Sequence, residues 1–139
     1  MPHPIILYDG VCALCNRFVQ FILRRDRNAI FRFASLQNAF AVPILARHSA
    51  SPSDLDTVYV VVNYELPDEY LLSRSEAILF VLRQLAGPWR TIAPLLQILP
   101  KSLRDAVYSA VARRRYRIFG RYEVCMLPPV QHRSRFLDL

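Results

Sequence analysis

The chain has 139 residues, just over half of them apolar, and no apolar run near the ~18–20 residues of a membrane span, so it reads as one domain over residues 1–139 with a single core. Met1-Pro2-His3-Pro4 lacks the charged and apolar regions of a signal peptide. A cytoplasmic protein is expected, in which a Cys pair is more often catalytic or metal-binding than a structural disulfide.

Ile5-Ile6-Leu7-Tyr8 reads as a buried strand, and Asp9-Gly10 as the turn after it. Gly10 is expected to serve geometry, through a positive φ or a close backbone approach. From Cys12 the apolar residues Cys15, Phe18, Val19 and Ile22 recur at helical spacing, and Arg24, Arg25 and Arg27 gather at the C-terminal end, where the dipole favours cations. The chain therefore places Cys12-Ala13-Leu14-Cys15 where a strand hands over to a helix. Unpaired N–H groups and a partial positive charge at a helix N-terminus favour thiolate over thiol. A thiol held there falls below its free pKa of about 8.5 and becomes a nucleophile near neutrality. Cys12 is the expected attacking thiolate and the more exposed of the two. Cys15, one turn on, is placed to resolve a mixed disulfide.

Ile30 to Ala34 reads as a second strand, which makes a β-α-β unit with parallel strands. Leu36 to His48 looks helical but holds Pro43, so either a break or a short helix starting at Pro43 is expected. Residues 49–53 form a loop, Thr57 to Val62 gives the strongest strand signal, and Tyr70 to Leu72 returns as a fourth, antiparallel strand. Ser73-x-x-Glu76 has the form of a capping box before a helix that Gly87-Pro88 stops. Beyond this α/β core of residues 4–87, the segment 88–139 reads as a helical extension. It holds a short apolar helix over Thr91 to Leu99 and a longer one, capped by Ser102 and Asp105, that runs to Phe119 before Gly120. On that helix Leu103, Val107, Ala110 and Val111 share a face expected to pack on the core.

Charge is uneven. Residues 101–139 hold nine Lys/Arg against three Asp/Glu, nearly all of the net +7. Arg113, Arg114, Arg115 and Arg117 crowd the last turns of the final helix. The commoner reading of such a run is a solvated face; the sharper one is contact with an acidic partner or a peripheral membrane surface, nucleic acid being disfavoured.

Asp9-Gly10-Val11-Cys12-Ala13-Leu14-Cys15 resembles the Asp-x-x-Cys-x-x-Cys signature of the DCC family of predicted thiol–disulfide oxidoreductases. The likeness continues through Phe33-Ala34-Ser35-Leu36-Gln37, Ser73-Arg74-Ser75-Glu76-Ala77, Tyr108, Arg115-Tyr116-Arg117 and Arg135-Phe136-Leu137. It implies a thioredoxin-like four-stranded mixed sheet flanked by helices, and dithiol exchange by Cys12 and Cys15 with a protein or low-molecular-weight thiol. No bound cofactor is needed for that chemistry. The signature includes Asp9, which is expected either to accept a proton from a thiol or to cap the turn. One departure stands out: where thioredoxins carry a cis-proline before the third strand, this chain reads Asp54-Leu55-Asp56-Thr57-Val58.

Two rival readings of the cysteines are weaker. A structural zinc site wants four ligands, and only His3, His48, Cys125 and His132 remain to complete one. Cys125 is either an inert side chain or a third thiol that exchanges with Cys12. A non-catalytic thioredoxin-like interaction module, contacting its partner through the basic helix, is the alternative to an enzyme.

Overall fold

A computed structural model describes residues 3–26, 29–50, 58–85, 87–120 and 135–137. Four strands, β1 (Ile5–Tyr8), β2 (Arg32–Ser35), β3 (Tyr59–Val62) and β4 (Tyr70–Ser73), form one sheet in the order β2-β1-β3-β4. β1 runs parallel to β2 and antiparallel to β3, and β3 is antiparallel to β4. With α1 (Ala13–Arg25), α2 (Ala41–Arg47) and α3 (Arg74–Gln84), the order β-α-β-α-β-β-α is the thioredoxin-like arrangement the motifs implied. The stretch expected to carry the cis-proline of thioredoxins, before Val58, lies outside the described residues.

Period-two alternation places helices on both faces of the sheet. Ile6, Tyr8, Val60 and Val62 point into a cluster with Val19, Ile22 and Leu23 of α1 and Ala77 and Val81 of α3. Ile5, Leu7, Tyr59 and Val61 point the other way, onto Ala41, Ile44 and Leu45 of α2. β1 and β3 are buried on both sides, which is why they are apolar at every position.

Several local expectations change. α2 begins two residues before Pro43, which therefore occupies the first turn, where a missing N–H breaks no helical hydrogen bond. Gly10 has no positive φ; it is buried, its N–H donates to Gln37 Oε1 and its carbonyl accepts from Asn16 Nδ2, both at 2.9 Å. Ser73 stands at the N-cap of α3 but makes no capping hydrogen bond. Arg74, at φ 53°, turns the chain from β4 into α3 within one residue. The start of α3 is capped instead by Asp105, which accepts from Ser75 N–H at 3.4 Å and from Ser75 Oγ. Glu76 turns to Arg104, 3.7 Å away.

Beyond the core, α4 (Trp89–Gln97) packs through Ala93 on Leu79 and Leu82 of α3. α5 (Lys101–Phe119) follows Pro100, with no capping bond from Ser102 or Asp105. The expected apolar contact face of α5 is overturned: Leu103, Val107 and Val111 are exposed, and the buried residues are Ala112 and Arg115. Polar contacts set the rotation. Tyr108 Oη accepts the Val58 N–H at 2.8 Å, Asp105 reaches α3, and Arg115 reaches the turn after β1. Residues 135–137 lie along the outer edge of β2, where Phe136 stacks on Phe33 at 5.1 Å, Leu137 N–H donates to Phe33 O, and Arg135 ion-pairs with Asp26.

Candidate functional site

The turn after β1 is closed by Cys12 N–H donating to Asp9 O at 3.2 Å. Cys12 is the N-cap of α1, with extended backbone at φ −82° and ψ 125°. Its sulfur does what a capping oxygen does elsewhere, accepting the Cys15 N–H at 3.4 Å. The next free amide of the helix, Ala13 N–H, donates to Gly120 O at the end of α5. Asn16 Nδ2 bridges Gly10 O and Cys12 O, each at 2.9 Å, and so holds the loop against the helix.

Cys12 is fully buried and Cys15 partly exposed, which reverses the expectation that Cys12 is the more open of the two. The end of α5 docks at the start of α1, where Gly120 O accepts the Ala13 N–H. The two thiols are shifted in opposite directions. A hydrogen bond from the Cys15 thiol does most to bring the Cys12 thiol down from 9.0 to about 6. Burial opposes the shift; the Cys15 and Leu14 amides and the Arg115 charge support it. Cys15 moves the opposite way. Donating to Cys12, burial, and the negative charges of Cys12 and Asp9 all push it well above its ordinary range. Cys12 is thus pushed toward the thiolate and Cys15 toward the thiol.

Asp9 is buried beneath this pair with a full set of donors. Val11 N–H and Gln37 Nε2 donate to Oδ1, and Arg115 Nη2 (2.9 Å) and Tyr116 Oη donate to Oδ2. Burial pushes its carboxyl up, but the bonds from Tyr116, Arg115, Gln37 and Val11 outweigh that and hold it below 3.8. Tyr116 is correspondingly raised to about 12, by burial first and by Asp9 second, and so remains a phenol that donates. Arg115 also donates to Ala112 O at 2.6 Å, and its guanidinium lies 4.4 Å from the Tyr116 ring centre. Arg115 and Asp9 form a buried ion pair adjoining the thiols, with the cation weighing on both cysteines and the anion on Cys15.

With that arrangement in view, the comparisons are specific. The family model for DCC1-like thiol-disulfide oxidoreductases matches residues 6–121. The chain belongs to the DCC1-like thiol-disulfide oxidoreductase family. The uncharacterized protein YuxK of Bacillus subtilis (strain 168) is 39% identical over 137 residues, covering 99% of this chain and 96% of that protein. A chloroplastic DCC family protein of Arabidopsis thaliana is 39% identical over 125 residues, 90% of this chain and 70% of that protein. No solved structure matches.

Residues of the DCC motifs make long-range contacts, some of them with one another. Gln37 and Arg115-Tyr116 meet Asp9, Ser75 meets Asp105, Tyr108 meets Val58, and Arg135-Phe136 close on Asp26 and Phe33. Composition concealed Arg115 and Tyr116, because an arginine run reads as a solvated face; the signal lay in their place among the family motifs. Gln37 was marked only by its place in the motif of residues 33–37, and Asn16 only by following the Cys pair. His3 bonds to Ile30 O and His48 to Glu69, away from the cysteines. Cys125 and His132 lie outside the described residues. Among the described residues no group of three or more His, Cys, Asp or Glu is placed to hold a metal ion.

Proposed function

We propose that this protein is a dithiol–disulfide oxidoreductase in which Cys12 attacks and Cys15 resolves. The observation that carries the reading is the pairing of opposed sulfurs at the start of α1, with Cys12 receiving an amide, a thiol hydrogen bond and the Arg115 charge. The Cys12 thiolate attacks one sulfur of a substrate disulfide, forming a mixed disulfide and expelling the other sulfur as a thiolate. Cys15 then gives up its proton, to the expelled thiolate or to solvent, and attacks the Cys12 sulfur. The second substrate thiol leaves, two electrons have passed to the substrate, and Cys12–Cys15 is a disulfide. A thiol reductant of the cell returns it to the dithiol.

Asp9 serves in this reading as a positioning residue rather than a proton acceptor. Its carboxylate is occupied by four donors and held below the range in which it takes up a proton readily. It orients Arg115, and its charge keeps the Cys15 proton in place until Cys12 has been spent. Substrates are a protein or low-molecular-weight disulfide, and the cysteine usage favours a reducing compartment such as the cytoplasm. Among the described residues no helix is long and apolar enough to cross a membrane.

Single-turnover reduction of a small aromatic disulfide tests the assignment. Cys12→Ser should abolish the reaction, while Cys15→Ser should stop after one thiol is released, with the label attached at Cys12. Label attached at Cys15, or turnover by the Cys12→Ser variant, would reverse or remove the assignment.

A further inference from the structure

Because polar contacts fix the rotation of α5, its aliphatic stripe is left outside. Val107 is 58% exposed, and towards the end of α4 Leu95 and Ile98 are 65% and 77% exposed. Leu99, Leu103 and Val107 continue inward as one wall of a groove of about 340 Å³ between α3, α4 and α5, with Ile78, Leu79 and Leu96 among the residues that line the rest. An uncovered apolar surface of this kind marks a contact site.

Charge selects what covers it. From Pro88 to Phe119 there are seven Lys/Arg and one acidic residue, Asp105, which is committed to Ser75. Arg115 is committed to Asp9 and Arg104 adjoins Glu76, whereas Arg90, Lys101, Arg113, Arg114 and Arg117 are exposed. A second copy would bring two such cationic faces together. The aromatic residues of these helices, Trp89, Tyr108, Tyr116 and Phe119, are only partly exposed, and the open apolar residues are aliphatic. That is unlike the aromatic anchors that dominate protein–protein contacts. Aliphatic side chains bordered by arginine and lysine suit an anionic lipid surface, where the apolar groups enter the headgroup–acyl boundary and the cations meet lipid phosphates.

We propose that the α4–α5 face docks on anionic bilayers, through Leu95, Ile98, Leu99, Leu103 and Val107 with the flanking cations. The proposal is independent of the thiol chemistry and fails or stands separately from it.

Flotation of the full reduced chain with vesicles tests it, using phosphatidylcholine alone and phosphatidylcholine mixed with phosphatidylglycerol. The chain should float with the anionic vesicles, stay behind with the neutral ones, and be released as salt rises from about 0.05 to 0.5 M. The pairs Leu103→Ser with Val107→Ser and Arg113→Glu with Arg114→Glu should each weaken partitioning by roughly tenfold or more. Their Cys12 alkylation rates should match wild type, which shows that the variants are folded. Absence of flotation with anionic vesicles, or variants that bind as wild type, would overturn it. So would a dimer in solution that the Leu103→Ser, Val107→Ser pair dissociates, or preference for an acidic polypeptide over the vesicles.

Discussion

Arg115 is the residue on which stability and reactivity meet. It is buried against a buried carboxylate, so removing it strands the Asp9 charge. Breaking such a pair from one side typically costs ~3–5 kcal/mol, and the remaining bonds from Tyr116 and Gln37 place Arg115→Gln at about the lower end. The same change removes a cation that favours the Cys12 thiolate, so the Cys12 midpoint should rise above about 6. Arg115→Lys should restore much of that midpoint but less of the stability, because a point charge replaces a fork that serves Ala112, Asp9 and Tyr116 together. Urea unfolding combined with pH-dependent alkylation separates the two effects. Asp9 adds an acid limb with a definite sign. Its folded pKa is depressed, so its contribution is fully present above the unfolded value of 3.8 and is lost as pH falls through the folded value. Asp9→Asn should lower stability near neutrality and flatten the loss below pH 3.8. An unchanged acid limb in that variant would show that the carboxylate is not linked to folding.

At the scale of elements, α5 is the piece that completes the site. It closes on the core through Tyr108 to Val58, Asp105 to Ser75, Arg115 and Tyr116 to Asp9, and Gly120 O to Ala13 N–H. Tyr108→Phe leaves the Val58 N–H without that acceptor, which should cost about 1–3 kcal/mol while leaving the Cys12 midpoint in place. Loss of stability together with a shifted midpoint would mean that the docking of α5 and the electrostatics of the site cannot be separated. Phe136 acts at the outer edge of the sheet, covering β2 with a parallel bridge and a stacked ring. The strands and the first three helices were legible because short apolar runs bounded by turns, and helical spacing, report burial directly. The orientation of α5 was not. Apolar spacing chose Leu103, Val107 and Val111, but the helix is anchored by Tyr108, Asp105 and Arg115, whose partners are distant in sequence and invisible to periodicity.

Across the whole molecule, a thioredoxin-like sheet brings the first turn of α1 beneath the last turns of α5. The dithiol and its counter-charge, Arg115, therefore come from opposite ends of the chain. The Cys pair, its place at a strand-to-helix junction and the presence of Asp9 in the motif could be read from residues 8–16. The burial of Cys12 could not, since the start of α1 is met by Gly120 at the end of α5, more than a hundred residues away. Nor could the occupancy of Asp9 by Arg115 and Tyr116, because an arginine in a basic run gives no sign of being the one that turns inward. The central claim is that the two sulfurs are held in opposite protonation states, with Cys12 the thiolate. The rate of alkylation at each cysteine of the reduced chain, followed peptide by peptide from pH 4 to pH 10, measures it. Cys12 should react along a titration with a midpoint at about 6 and level off above it, while Cys15 stays unreactive until Cys12 is blocked. A Cys12 midpoint near 9.0, or Cys15 reacting first, would contradict the account.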